Sequence, residues 1–162
     1  MRILFVCLGN ICRSPTAEGV FGARAAARGL SHRFEIDSAG VGGWHEGDPP
    51  DPRAIAAAAR RGVDLSALRA RAVTAADFHR FDWILGMDAS NVAALRQRAP
   101  EDLTAPIVRI TTFAGPGAPL EVADPYYGGA DGFEAALDLL ERCVDGLLAE
   151  LTADLAKPRR SR

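Results

Sequence analysis

Ile3-Leu4-Phe5-Val6-Cys7-Leu8-Gly9-Asn10-Ile11-Cys12-Arg13-Ser14-Pro15 decides how the chain is read. An apolar run enters a turn containing Gly and Asn, and Ser-Pro then opens a segment of helical spacing. The order is buried strand, tight loop, helix. Such a loop leaves several backbone N–H groups unpaired at the positive end of a helix dipole, where they attract a tetrahedral oxyanion. Arg13 adds a permanently charged planar fork that binds two oxygens at once. The same positive field favours loss of the proton from Cys7, so one loop supplies both nucleophile and oxyanion site. Gly9 and Asn10 tolerate the left-handed backbone angles that make consecutive N–H groups converge. Ser14 has two uses open to it, capping a helix that Pro15 begins and hydrogen bonding the Cys7 thiolate. The Cys-to-Arg spacing alone is equally compatible with a core cysteine and a surface arginine. The strand before it, the Gly-Asn inside it and the Ser-Pro after it favour the chemical reading.

Outward from this loop, 162 residues suffice for one domain with a real core. The hydrophobic share of 48% and charged share of 25% are those of a globular protein. A net charge of -2 argues against general nucleic-acid binding, so the positive field must be local. Three cysteines, Cys7, Cys12 and Cys143, are too few and too odd in number for a disulfide framework and point to a reducing compartment. The N-terminal apolar run is shorter than a signal-peptide core, and no stretch approaches a membrane span. A cytoplasmic protein is expected, and its arginine- and alanine-rich composition suggests a bacterial source.

The remaining segments alternate. Strands are expected at 2–6, 33–38, 82–87 and 106–111, and helices at 15–28, 52–61, 88–98 and 131–155, the second capped by Asp51 and stopped by Gly62. Thr74-Ala75-Ala76-Asp77 resembles a capping box for one further short helix. In the final helix Phe133, Leu137, Leu140, Val144, Leu147, Leu148 and Leu151 fall at helical spacing. Four strands alternating with helices imply an α/β, three-layer Rossmann-like fold: a four-stranded parallel sheet flanked by helices on both faces, with its ligand site at the C-terminal strand ends, where Cys7 lies. Residues 1–156 form a single domain, and 157–162 are expected to be a basic, flexible C-terminal tail.

The decapeptide Val6–Pro15 resembles the signature of the low-molecular-weight protein tyrosine phosphatases. The resemblance extends through Ser38-Ala39-Gly40, Ala70-Arg71, Asp77-Phe78, Phe81-Asp82, Met87-Asp88, Ser90-Asn91 and Asp124-Pro125-Tyr126-Tyr127. It implies a phosphotyrosine hydrolase that needs no cofactor or metal, with Cys7 as nucleophile and Arg13 as phosphate-binding arginine. Leu8, Gly9, Asn10, Ile11, Cys12 and Ser14 then form the phosphate loop, and Asn10, Ser14 and Ser38 hold it. Transfer of a phosphoryl group to a thiolate makes a leaving oxyanion that needs a proton, and hydrolysis of the phosphocysteine needs a base for water. One carboxyl can do both. By itself Asp124-Pro125 reads as a turn initiator. The resemblance instead makes Asp124 the general acid and then base. Trp44, in a glycine-rich loop, and Tyr126 and Tyr127 would line a slot for an aryl ring. The implied partner is a phosphotyrosine-containing protein, a bacterial tyrosine kinase among the candidates, acted on by a monomer or weak dimer with no nucleic-acid or membrane partner.

One position departs from the family pattern: a histidine common near Leu68, which supports the loop serine, is missing. Two other activities belong to the same architecture. Protein-arginine phosphatases resemble this loop but carry threonine at the place of Ile11, whose bulk suits an aryl phosphate. A thiol-dependent arsenate reductase needs two further resolving cysteines, and 81–99 contains none. A silent anion-binding module would not need Cys7, Arg13 and Asp124 together. Cys143 reads as core, His32 and His79 as surface, and His45 and Glu46 are undecided. Cys12 is a candidate to trap an oxidised Cys7 in a reversible disulfide, with loop packing as its other reading.

Overall fold

In the computed structural model, which describes residues 1–157, the opening apolar run forms β1 (Arg2–Cys7). Ile3, Leu4, Phe5 and Val6 are completely buried because both faces of the strand are covered. Ile3, Phe5 and Cys7 point to one core, and Leu4 and Val6 to the other. Burial of each large side chain contributes about 1.5–3 kcal/mol, so this short strand is a principal anchor of the fold.

Strands β2 (Glu35–Gly40), β3 (Trp83–Gly86) and β4 (Ile107–Arg109) complete a parallel four-stranded sheet in the order β2-β1-β3-β4. β1 pairs with β2 from Arg2–Glu35 to Cys7–Gly40, and with β3 from Ile3–Trp83 to Val6–Gly86. The first core lies under α1 (Arg13–Ala27), α2 (Pro52–Ala59) and α5 (Ala130–Ala156), and the second under α3 (Asp77–Arg80) and α4 (Ala89–Arg98). The chain leaves β1 for one edge and β3 for the other. The loops that follow them therefore part, opening a crevice at the C-terminal end of the sheet.

All seven apolar positions expected on one face of α5 are buried, as is Cys143. Asp51 caps α2, accepting from the Arg53 N–H at 2.8 Å, and Asp88 caps α4 in a reciprocal box with Asn91. Several boundaries differ from expectation. α1 starts at Arg13, not Pro15, with Cys12 as an N-cap whose side chain makes no cap bond. Ser14 is therefore inside the first turn and does not cap it. Pro15 is tolerated there because an N–H in the first turn would have had no partner. No Thr74 capping box forms: only the Asp77 carboxylate reaches back to the Thr74 N–H, at 2.8 Å, while it also pairs with Arg71. β4 is three residues long and passes into a 3-10 turn at Ile110–Phe113. The expected basic tail lies outside the described residues from position 158 on. Among the described residues no helix is long and apolar enough to cross a membrane.

Candidate active site

Cys7 ends β1, and the chain turns over it before α1 begins. Asn10 alone among the non-glycine residues described has a left-handed backbone, with φ of 58°. That turn brings the Asn10 N–H to 3.3 Å from Cys7 Sγ. Gly9, also expected to be left-handed, is not. A Cβ there would lie 3.1 Å from the His45 ring, a close approach that the ring would have to yield to by a few tenths of an ångström. Gly40 on the neighbouring strand is needed for space from beneath: a Cβ would lie 3.0 Å from the Leu8 carbonyl oxygen and 2.7 Å from that of Gly42.

Behind the loop is a hydrogen-bonded network. Ser14 Oγ lies 3.0 Å from Cys7 Sγ. The Asn10 amide donates to Ser14 Oγ at 2.8 Å and to Ser38 Oγ at 3.0 Å, and its oxygen accepts from the Arg71 N–H at 3.0 Å. Ser38 in turn donates to Glu18 at 2.5 Å. The network closes without a histidine; Leu68 instead packs its side chain against the larger core. Burial, with the nearby Asp37 charge adding to it and the Ser38 hydrogen bond and Arg71 opposing it, pushes the Glu18 carboxyl up to about 7. Asn10 and Ser14, expected to touch a ligand, are buried behind the loop and do not line the cavity described next.

Arg13 is almost fully buried, and its guanidinium is fixed from beyond the loop. Nη1 donates to Asp88 at 2.7 Å and to the Val122 carbonyl at 3.0 Å. Nη2 reaches Asp124 at 3.5 Å. Asp88 caps α4 with one carboxylate oxygen and holds Arg13 with the other. This second role was not read from the sequence, where Asp88 is only a helix start. The available signal is positional: Asp88 follows β3, and the loop after β3 faces the loop after β1 across the crevice.

Asp124 stands over the same crevice, one of its oxygens accepting from the Tyr126 N–H at 3.1 Å. A cavity of about 310 Å³ is lined by Cys7, Leu8, Gly9, Ile11, Cys12, Arg13, Trp44, His45, Asp124, Tyr126 and Tyr127. Trp44 is 71% exposed and Tyr127 91%, so neither serves the core. The tyrosine rings meet edge to face at 4.9 Å. His45, undecided in sequence, is a wall residue whose Nδ1 lies 3.5 Å from Asp48. Cys12 is buried, and burial, with the Asp51 charge, pushes its thiol up to about 12, so it is protonated at neutral pH. Among the described residues, no group of three His, Cys, Asp or Glu side chains is placed to hold a metal ion.

The arrangement combines a thiol that accepts from a loop N–H, a fixed guanidinium and a carboxyl around one apolar-walled slot. Chemically that suits transfer of a tetrahedral oxyanion to sulfur with a proton donor opposite.

The family model described as "Low molecular weight phosphotyrosine protein phosphatase" matches residues 2–157. The chain is 48% identical over 151 residues to the low molecular weight protein-tyrosine-phosphatase of Streptomyces coelicolor, spanning 91% of this chain and 92% of that one. A crystal structure of a protein tyrosine phosphatase from Entamoeba histolytica, with Hepes in its active site, matches with a TM-score of 0.91 and 38% identity over 96% of this chain and 99% of that one. A Drosophila arginine phosphatase matches with a TM-score of 0.88 and 31% identity, over 95% and 99% of the two chains.

Proposed function

The chain belongs to the low molecular weight phosphotyrosine protein phosphatase family, and we propose that it hydrolyses phosphotyrosine in proteins through a phosphocysteine on Cys7. The observation that carries this reading is the convergence of Cys7 and Arg13, at the two ends of the loop between β1 and α1, with Asp124, from the loop before α5, on one cavity walled by Trp44, Tyr126 and Tyr127. The Cys7 thiolate attacks phosphorus, the S–P bond forms, and the P–O bond to the tyrosine ring breaks. Asp124 delivers its proton to the departing phenolic oxygen. Water then attacks the phosphocysteine as Asp124 takes one of its protons, which releases inorganic phosphate and restores the thiolate. Loop N–H groups carry the equatorial oxygens throughout. Asp88 and the Val122 carbonyl occupy Nη1 of Arg13, and Nη2 makes only a long contact to Asp124, so Nε and Nη2 are the pair that grips two of those oxygens.

Ile11 and the aromatic wall favour an aryl phosphate over phosphoarginine, although a Drosophila arginine phosphatase shares the fold. Arsenate reduction lacks its resolving thiols, since Cys143 is buried in the core on α5. The test is a panel of phosphotyrosine, phosphoserine, phosphoarginine and arsenate with the purified enzyme. Phosphotyrosine should be turned over at least tenfold faster than the others, and preference for phosphoarginine refutes the substrate assignment. Cys7→Ser should abolish turnover while phosphate still binds; unchanged turnover would remove Cys7 as nucleophile.

A further inference from the structure

We infer that Arg53 is a positioning residue for Asp124: it ties the 124–129 loop to the phosphate loop, and so holds the carboxyl over Cys7, without itself lining the cavity. The inference rests on the reading of Asp124 as the proton donor given above.

The 124–129 loop is otherwise bonded mainly to itself. Asp124 accepts from the Tyr126 N–H, and the Gly128 N–H donates to the Pro125 carbonyl at 3.0 Å. Its side-chain contact with Arg13 is long, at 3.5 Å. From outside, Arg53 Nη2 donates to the Tyr126 carbonyl at 3.0 Å and Nη1 to the Gly128 carbonyl at 3.4 Å. The guanidinium also lies over the Phe133 ring at 4.7 Å and the Tyr126 ring at 5.7 Å.

A clamp transmits position only if its own base is fixed. Arg53 is held by Asp51 through a two-pronged pair, Nε to one oxygen at 3.0 Å and Nη2 to the other at 2.9 Å. Asp51 in turn donates its backbone N–H to the Ile11 carbonyl at 2.8 Å. A continuous path thus runs from the phosphate loop through Asp51 and Arg53 to the backbone on either side of Tyr127. Arginine suits this place because its planar fork grips a carboxylate and still presents N–H groups to two carbonyls; a lysine ammonium cannot span both.

The experiment compares kcat/KM for 4-nitrophenyl phosphate, whose leaving group needs little protonation, with phenyl phosphate, whose leaving group needs much. It uses the wild type, Arg53→Ala, Arg53→Lys, Asp124→Ala and the double variant Arg53→Ala/Asp124→Ala, with competitive inhibition by inorganic phosphate measured for each. Loss of the clamp should lower kcat/KM for phenyl phosphate about tenfold and for 4-nitrophenyl phosphate less than about threefold. Arg53→Lys should resemble Arg53→Ala, and phosphate inhibition should hold within about twofold in both. In the Asp124→Ala background, Arg53→Ala should add nothing further to the leaving-group effect. Equal losses for the two substrates, full activity of Arg53→Lys, or additive losses in the double variant would overturn the inference. If Asp124→Ala itself slows both substrates equally, the underlying assignment of Asp124 fails instead, and the two failures are told apart by that arm.

Discussion

Glu18→Gln should make the protein more stable at alkaline pH while leaving it nearly unchanged in mild acid. Glu18 sits in the first half of α1 with its carboxyl turned inward onto Ser38. Burial, helped by the Asp37 charge and opposed by the Ser38 hydrogen bond and Arg71, raises it from 4.5 to about 7. The folded protein therefore holds this proton more tightly than the unfolded chain does. The stabilisation is complete below about 4.5, declines through the interval between, and is gone above about 7. At about 1.4 kcal/mol per pH unit the full interval corresponds to about 3 kcal/mol, and screening of the part of the side chain open to water reduces this to about 2 kcal/mol. Other shifted carboxyls do not compete in this window. Asp51 and Glu134 are held low chiefly by paired arginines, and Asp77 is low because its Arg71 and Thr74 bonds outweigh burial, so their contributions are lost only in stronger acid.

Glutamine keeps an oxygen for the Ser38 hydroxyl but cannot ionise. Urea unfolding of wild type and Glu18→Gln at pH 5 and pH 8.5 measures the effect. The two proteins should agree within about 0.5 kcal/mol at the lower pH, and the variant should gain about 2 kcal/mol at the higher. In thermal unfolding that is about 4–8 °C for a chain of this size. Parallel pH profiles for the two proteins would refute the reasoning, because they would mean that Glu18 ionises in the folded state as readily as in the unfolded one.

Asp88→Asn should cost about 2 kcal/mol of stability in urea unfolding and lower kcat/KM about tenfold, because a buried Arg13 loses its charged partner while an amide hydrogen bond remains possible. Asn10→Ala should destabilise by about 2–4 kcal/mol, since alanine is strained at a φ of 58° and the variant strands Ser14, Ser38 and the Arg71 N–H; a thermal shift below 2 °C would contradict this. Trp44→Ala should raise KM for a phosphotyrosine peptide about fivefold with stability changed by less than about 0.5 kcal/mol, as the side chain is largely exposed. Brief iodoacetamide treatment at pH 7.5 should leave Cys12 and Cys143 unmodified, because burial pushes both thiols up to about 12; peptide mass spectrometry showing Cys12 alkylated before Cys7 would argue otherwise.

What could be read from the sequence was whatever local pattern determines. The opening run names β1 because its residues are apolar on both faces, and the spacing in α5 names the helix that covers it. Asp51 read as a cap and Asp88 as a helix start for the same reason, since a capping side chain answers its own neighbouring N–H groups. The loop itself was legible down to the left-handed Asn10. Gly9 is not left-handed, and the close neighbour that a side chain there would crowd, His45, is remote in sequence. Ser14 was misplaced by a similar limit: Pro15 marks a first turn without fixing which residue opens it, and the helix begins two residues earlier.

The parts that stayed hidden have a common cause, which is that a carboxylate serving as a helix cap also has a second duty. Asp88 caps α4 and fixes Arg13. Asp51 caps α2 and fixes Arg53. Capping alone accounts for each in a sequence: nothing near Asp88 announces Arg13, and nothing near Asp51 and Arg53 announces the Tyr126 and Gly128 carbonyls that Arg53 reaches. Yet the second role makes the site rigid: each cap sits where a helix starts beside the crevice, already oriented by the helix N–H groups, and offers its remaining oxygen to an arginine that must not move. A guanidinium held by a mobile side chain would lose rotamer entropy again whenever an oxyanion arrived. Anchored on a helix cap, Arg13 is ordered before any ligand enters, and the same economy extends through Arg53 to the loop that carries Asp124.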